Sequence, residues 1–268
     1  MRISCETNRT DGGVSESIGF LLIFTLVITG IGLVTLYGYP MLMQQQTSAD
    51  EQIMEKNMIV LQNDIKSLAY KTVPYKETSL KIGGGSLTVY NASTAPSAFT
   101  IRIRDSTTTY VNEFQPGDLR YSSLGANTDL SLQNGAVVKR DRTGQGSVML
   151  AEPRWFYDSM ANTMVINLIS INSTGQIGRT GVGTVQMVLK DSSYDYVSLT
   201  PGETIFIDYT STDPDADYSL AWKNYFINTL GMVQTGPSGN PVTYSLAFEP
   251  TPDPKLVIKK YDILIKSV

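Results

Sequence analysis

The chain has 268 residues, of which 17% are charged and 41% are hydrophobic, and its formal net charge is −4. Its 21 Lys and Arg residues are scattered among 25 acidic residues, so it lacks the basic stripe that binds nucleic-acid phosphates, and no nucleic-acid partner is expected. The absence of histidine excludes Ser–His–Asp and Cys–His catalysis and histidine-bound zinc. We therefore predict a protein that is not an enzyme and uses no cofactor. A carboxylate pair for glycoside hydrolysis stays open, because sequence does not show which acids meet in space.

A long uncharged segment lies near the N-terminus. No charged side chain occurs between Glu16 and Asp50, and the stretch from Ile18 to Met43 is dominated by Ile, Leu, Val, Phe and Met. A helix of about 20 apolar residues crosses a bilayer, so this segment predicts a membrane-spanning helix. Glycine and proline are tolerated in such helices, and we expect a bend near Pro40.

The residues ahead of the apolar segment do not have the order of a secretory signal. A secretory signal places its small-residue cleavage site after the apolar core, whereas here the small residues come before it. The order found here is Asp11-Gly12-Gly13-Val14-Ser15-Glu16-Ser17-Ile18-Gly19-Phe20. This arrangement resembles the class III (prepilin-type) signal peptides of archaeal type IV pilins and their relatives.

The resemblance implies how the chain is processed and assembled. Residues 1–13 would be a leader, which a prepilin peptidase would remove between Gly13 and Val14, with the bond between Gly12 and Gly13 as the alternative. The helix would stay in the mature chain and pack into a filament. Glu16 would pair with the new N-terminal amine of a neighbouring subunit, since a carboxylate beside an apolar helix is costly to bury without a partner. The competing interpretation is that Glu16 is a solvated flanking charge.

A helical pattern continues beyond the apolar segment. Met54, Met58, Leu61, Ile65 and Leu68 follow one another at spacings of four, three, four and three, which places them on one face of a helix. We predict a single helix over residues 14–72 whose second half packs against a globular head. A parallel coiled coil is the competing interpretation, but the stripe is short and lacks orderly flanking charge pairs.

From residue 76 to residue 268 the pattern changes to short alternating runs separated by turn residues, among which are Gly83-Gly84-Gly85 and Gly181-Val182-Gly183. The predicted fold class is α+β, a long N-terminal hydrophobic α-helix followed by a mainly antiparallel β-sandwich-like head domain. Short helices are expected over Pro153–Ala161 and Ser219–Thr229. The candidate strands are Leu80–Ile82, Ser86–Tyr90, Phe99–Arg104, Thr108–Val111, Leu130–Leu132, Ala136–Lys139, Val148–Ala151, Met164–Ile171, Thr184–Lys190, Tyr196–Leu199, Thr204–Tyr209, Thr243–Phe248 and Lys255–Lys266.

Two kinds of local motif suggest sites on the head. The sequons that begin at Asn91 and Asn172 are candidates for N-glycosylation on an extracellular domain. The acidic run Asp213-Pro214-Asp215-Ala216-Asp217 has the opening spacing of a calcium loop, but Tyr218 and Asn224 stand where such a loop has Gly and Glu. We assign no metal site, and calcium binding by Asp213, Asp215 and Asp217 stays open beside a solvated acidic loop.

The head is also rich in aromatic residues near two places in the sequence. These are Trp155, Phe156 and Tyr157, and then Trp222, Tyr225 and Phe226. Such a group either lines a carbohydrate-binding face or fills the core, and we favour the core.

Taken with the resemblance, these features predict a structural subunit of an extracellular type IV pilus-like filament. It would lie in the cytoplasmic membrane before assembly and at the cell surface afterwards. Its partners would be the membrane, the prepilin peptidase and further copies of the chain, with the head exposed for adhesion to surfaces or cells. The alternative is a minor pilin or surface-binding protein that stays anchored in the membrane without polymerising.

Overall fold

The structure is a computed structural model that describes residues 12–71, 73–93, 99–144, 146–175, 177–236 and 239–268, with side chains from Ser17 onward. The chain divides into two compact units, Met1–Ser48 and Ala49–Val268, which we call the N-terminal unit and the globular unit. The fold is of the α+β class, as the sequence predicts.

The N-terminal unit is helical throughout its described part. Helix α1 spans Gly12–Leu33, a π-helical turn spans Val34–Gly38, and helix α2 spans Tyr39–Tyr70, which continues into the globular unit. The backbone N–H at position 39 donates to the carbonyl of Val34 in the widened turn. Proline has no N–H and crowds the carbonyl four residues earlier, so a wider turn directly before Pro40 accommodates its ring. The helix is thus irregular where the sequence predicts a bend.

The described residues of the globular unit form two sheets, the short helix α3, a 3-10 turn at Pro214–Ala216 and a π-helical turn at Tyr225–Thr229. Strand β14 runs parallel to β9, and the other paired strands are antiparallel. The large sheet has the order β7-β6-β5-β4-β1-β10-β14-β9-β8 and the small sheet the order β12-β13-β11-β2-β3, with elements bounded as follows. They are β1 (Tyr75–Tyr90), β2 (Phe99–Arg104), β3 (Thr109–Phe114), β4 (Asp118–Ser123), β5 (Thr128–Gln133), β6 (Ala136–Asp141), β7 (Ser147–Ala151), β8 (Phe156–Asp158), β9 (Thr163–Ser173), β10 (Gly178–Ser198), β11 (Thr204–Ser211), α3 (Ser219–Asn224), β12 (Val233–Thr235), β13 (Val242–Ala247) and β14 (Lys255–Ser267).

Each face of the large sheet is covered by a different layer. The helix core lies between the second half of α2 and one face of the sheet, and the sandwich core lies between the other face, the small sheet and α3. In β6, Val137 belongs to the helix core while Ala136 and Val138 belong to the sandwich core, as the alternation of a strand requires. The α2 residues of the helix core are Met54, Met58, Leu61, Ile65 and Leu68, all with no exposed surface, which confirms the predicted face.

The three consecutive glycines interrupt β1 without ending it. The pairing of β1 with β10 shifts register between Ile82 and Leu87, so the glycines form a bulge within one strand rather than the predicted turn. A Cβ on Gly85 would lie 2.4 Å from the carbonyl oxygen of Ser122, and one on Gly83 would lie 2.4 Å from the carboxylate of Asp50. Only glycine permits this close approach of helix, strand and neighbouring strand.

We expect Leu61→Ala to lower the free energy of unfolding of the globular unit by about 2–5 kcal/mol, because the substitution leaves a cavity in the helix core. The matched control is Val60→Ala one residue earlier, where the side chain is 46% exposed, and we expect a change within about 0.5 kcal/mol. Denaturant unfolding of the full chain in a non-ionic detergent measures both values. Equal effects of the two substitutions would contradict the packing of this face on the sheet.

Candidate functional site

The strongest functional feature in the structure is the apolar surface of the N-terminal helix. Among the described residues, one helical stretch, Ser17–Tyr70, is long and apolar enough to cross a membrane, and its most apolar window has no buried residue. The large side chains along it face outward, with Phe20, Leu26 and Leu36 each at least 70% exposed. Soluble proteins rarely expose so large a continuous apolar surface, so this helix is a candidate for contact with lipid or with other helices.

Three threonine hydroxyls of this helix form hydrogen bonds within the helix itself. The hydroxyls of Thr25, Thr29 and Thr35 donate to the carbonyl four residues earlier, at 2.7, 2.7 and 2.9 Å. Hydroxyls that bond back to their own helix carry little desolvation cost in an apolar environment. These three threonines therefore add little to the cost of placing the helix in an apolar environment.

The residues predicted to act in processing and assembly lie at the start of this helix. Gly13, Val14 and Glu16 fall within the backbone of α1, but their side chains lie outside the described residues, as does most of the predicted leader, residues 1–11. Cleavage at Gly13 and pairing by Glu16 stay predictions.

The two sequons meet at one end of the large sheet. The side-chain oxygen of Asn91 accepts hydrogen bonds from the backbone N–H and the hydroxyl of Ser173, at 2.7 and 2.8 Å. The side-chain nitrogen of Asn172, the atom that a glycan would use, donates to Asp262 at 2.8 Å. Glycosylation at both positions stays a prediction.

Asp262 lies in a polar cleft of about 610 Å³ on the large sheet. Its carboxylate accepts from the hydroxyl of Ser170 at 3.1 Å and from Asn172, and it lies 3.6 Å from the ammonium of Lys190. On the same face, Asp195 pairs with Lys260 at 3.1 Å. The donors and acceptors of this cleft thus largely satisfy one another.

The acidic run contributes to the structure of its own loop. Asp213 accepts from the backbone N–H of Asp215 at 3.0 Å, and Asp217 accepts from the backbone N–H of Ser219 at 2.9 Å. Asp213 also lies 3.7 Å from the guanidinium of Arg120. Asp213 and Asp217 thus have different neighbours, and the described part of the chain brings no three Asp, Glu or Cys side chains into a metal-holding group.

The aromatic residues are mostly core residues, as the sequence favours. Trp155, Trp222, Tyr225 and Phe226 are buried in the sandwich core, where neighbouring rings lie 5.6 to 6.0 Å apart. Phe156 is the exception, with 43% of its surface exposed. Most of these rings are not available for stacking against a sugar.

The sequence does not reveal the buried ion pair on β4. The side chain of Asp118 is 1% exposed and that of Arg120 is 9% exposed, and the two form a bidentate pair at 2.9 and 3.4 Å. Ser131 on β5 donates to the same carboxylate at 2.8 Å, and the Arg120 guanidinium lies 4.3 Å above the ring of Tyr90. The signal available was the spacing of the two charges, which places both on one face of a strand.

A tyrosine beside this pair carries a perturbed hydroxyl. Burial raises the pKa of Tyr218 well above its ordinary value, and the charge of Arg120 offsets part of that rise. The Tyr218 hydroxyl has no hydrogen-bond partner in the described structure, and neither does that of Tyr209 nearby. Both groups therefore stay protonated and neutral across the physiological range.

The fold and the exposed helix define an α+β protein with one candidate membrane-spanning helix. A family model matches residues 12–263, nearly the whole described chain, and its description is "Family of unknown function (DUF7289)". The chain belongs to this family. No curated protein and no solved structure matches it.

Proposed function

We propose that this chain is a structural subunit of an extracellular type IV pilus-like filament that assembles through its N-terminal helix. The observation that carries the proposal is the apolar helical segment from Ser17 to Met43, which has no buried residue, in a chain whose remaining described hydrophobic residues are mostly buried in two cores. The apolar side chains of this segment are exposed, whereas most described apolar side chains of the globular unit are buried within it.

The two halves of α2 differ in burial, and this difference supports assembly through the first half. The second half buries five apolar side chains against the large sheet, so this face already has a packing partner. The first half exposes Tyr39, Met41 and Leu42, each more than 60%, and has no sheet to cover it. Before assembly, lipid would cover this surface in the cytoplasmic membrane, and the helices of neighbouring copies would cover it in a filament.

In this proposal the leader is removed first and the acidic residue acts second. A prepilin peptidase cuts between Gly13 and Val14, which creates a new N-terminal amine. Glu16 of one copy then pairs with that amine of the next copy and sets the axial position of the subunit. A charge pair in an apolar surrounding is costly to break, by about 3–5 kcal/mol when one partner is removed. The globular unit faces the outside and contacts surfaces or cells.

The size of the globular unit supports one alternative. Ala49–Val268 is a large body to place on every helix of a dense filament. A minor pilin or a surface-binding protein that remains anchored in the membrane avoids this crowding, with the same helix and the same topology.

We expect the native protein to begin at Val14, and a sheared-cell fraction to contain it in sedimenting material. Glu16→Ala should leave cleavage intact and abolish the sedimenting material, because it removes one member of the pair that positions each subunit. Mass spectrometry of the N-terminus and ultracentrifugation measure the two effects. Ser15→Ala, one residue away and uncharged, is the matched control and should sediment like the native chain.

Two results would decide against the filament. One is a chain that begins at Met1, and the other is a processed chain found only in membranes with Glu16→Ala silent. The second result would favour the anchored alternative.

A further inference from the structure

A cationic cleft lies in the globular unit at the C-terminal end of α2. It has a volume of about 490 Å³ and is formed by the last turns of the helix and by the segment that follows β7. Three of its lining residues, Lys66, Lys71 and Arg154, are positively charged. The residues that complete the lining are Asn63, Ser67, Tyr70 and Pro153, none of which is acidic.

None of these three cations is neutralised by a carboxylate within 4.0 Å in the described structure. The contrast with Lys139 is direct, since its ammonium lies 2.8 Å from both Glu51 and Glu55 on the same helix. The acid nearest in sequence to Arg154 is Glu152, which is exposed and accepts a hydrogen bond from Thr229 at 2.8 Å. An acidic protein thus keeps three positive charges together, and the exposed carboxylate of Glu152 acts on Lys66 only from beyond 4.0 Å.

The structure holds these charges in place. The Arg154 guanidinium lies 5.0 Å above the ring of Tyr70, and that ring packs edge-on against Tyr261 at 5.5 Å. The backbone carbonyl of Arg154 accepts a hydrogen bond from the side chain of Asn167, which is itself buried. Arg154 is therefore anchored at its backbone and at its guanidinium, with edges of the guanidinium left to bind a ligand.

The electrostatic cost of this arrangement is visible at one of the lysines. Partial burial lowers the pKa of Lys66, the positive charge of Arg154 lowers it further, and the negative charge of Glu152 offsets part of this decrease. Like charges that share a partly desolvated cleft repel one another, and an anion between them would remove that repulsion.

We propose that this cleft binds an oxyanion carried on a ligand of about sugar size. A guanidinium binds two oxygens of a carboxylate, sulfate or phosphate at once, and ammonium groups add point charges from the side. The volume exceeds what one inorganic ion fills and lies in the range of small-molecule sites. An acidic sugar and free phosphate or sulfate share this chemistry, and comparing their binding affinities distinguishes them. The inference does not depend on filament assembly.

The test uses the full chain in a non-ionic detergent at constant ionic strength, adjusted with sodium chloride. Sodium sulfate, sodium phosphate, sodium glucuronate and uncharged glucose are titrated by isothermal calorimetry. We expect saturable binding of at least one oxyanion and none of glucose. Arg154→Gln should weaken that binding by about tenfold or more, because one charge-assisted bidentate contact is lost.

Lys71→Gln is a second variant that tests the same site, and since Arg154 and Lys71 are both exposed, neither substitution removes a buried side chain. Lys56→Gln is the matched control, since Lys56 is exposed on the same helix but does not line the cleft. If glucuronate binds more tightly than sulfate and phosphate, the ligand is an acidic sugar. The reverse order would contradict a ligand of about sugar size. Absence of saturable binding, or binding unchanged in both Arg154→Gln and Lys71→Gln, would overturn the proposal.

Discussion

Arg120→Met is expected to lower the free energy of unfolding of the globular unit by about 3–5 kcal/mol. The Asp118 carboxylate is almost fully buried, and Arg120 supplies its balancing charge through contacts of 2.9 and 3.4 Å. Methionine preserves the length of the side chain but leaves the carboxylate with the Ser131 hydroxyl as its remaining close donor. A buried charge without its partner is far more costly than an exposed one. Equilibrium unfolding in urea measures the loss.

The double variant Asp118→Leu with Arg120→Met separates the charge from the packing. It removes both charges together, so most of the stability should return, because an apolar pair of similar volume often replaces a buried ion pair without loss. The reasoning would be wrong if Arg120→Met alone cost less than about 1 kcal/mol, or if the double variant were less stable than the single one.

This cluster also shows why the acidic run could not be interpreted from its spacing alone. Asp213 is far from Arg120 in the chain, with strands β5 to β11 between them, yet its carboxylate lies 3.7 Å from the Arg120 guanidinium. The spacing of Asp213, Asp215 and Asp217 allowed a calcium loop, but tertiary contacts direct the carboxylates to separate neighbours. The spacing of a motif reports only on residues that are close in the chain, whereas Asp213 in this loop contacts the distant Arg120.

The helices were predictable because their pattern is local. The spacing of Met54, Met58 and Leu61 is enough to define a buried face, and the structure buries it completely. The short helix predicted over Ser219–Thr229 is present as α3 and the π-helical turn Tyr225–Thr229. In contrast, the helix predicted over Pro153–Ala161 is absent, because Phe156–Asp158 forms strand β8 against β9. Pairing with a neighbouring strand overrides a weak helical tendency.

The strands were predictable only where apolar residues alternate. Strand β4 was missed, since Asp118, Arg120 and Ser122 give it a polar face that a strand buried on both sides rarely has. Gly181-Val182-Gly183 was predicted as a turn, but the structure places it inside β10, paired with Ile82 and its neighbours on β1. Gly181 has a φ of +80°, and a Cβ on Gly183 would lie 3.2 Å from the backbone of Val268. The contact with Val268 is tertiary, so the local sequence does not reveal it.

The same limit applies to the cationic cleft. Lys66 lies on α2 and Arg154 follows β7, so strands β1 to β7 separate them in the chain, and no motif joins them in the sequence. By contrast, the apolar helix was predictable, because its length and its apolar composition can be read directly from the sequence.

The fragment Ala49–Val268 is expected to be soluble and folded without detergent, whereas the full chain requires detergent or membrane. Removing residues 1–48 removes the exposed apolar surface and leaves the helix core and the sandwich core intact. Size-exclusion chromatography in detergent-free buffer and circular dichroism measure the difference. Aggregation of this fragment would show that the N-terminal unit is needed for the fold itself.

The matched fragment is residues 76–268, the head domain as the sequence delimits it, and we expect it to aggregate. It lacks the second half of α2 and so loses five fully buried side chains, among them Met58 and Leu61. Each such loss costs about 2–5 kcal/mol, and the sum exceeds the total stability of about 5–15 kcal/mol that domains have. If residues 76–268 were as stable as Ala49–Val268, α2 would be only a tether. The expected contrast makes its second half part of the globular fold, which leaves the first half free for the membrane or for other copies of the chain.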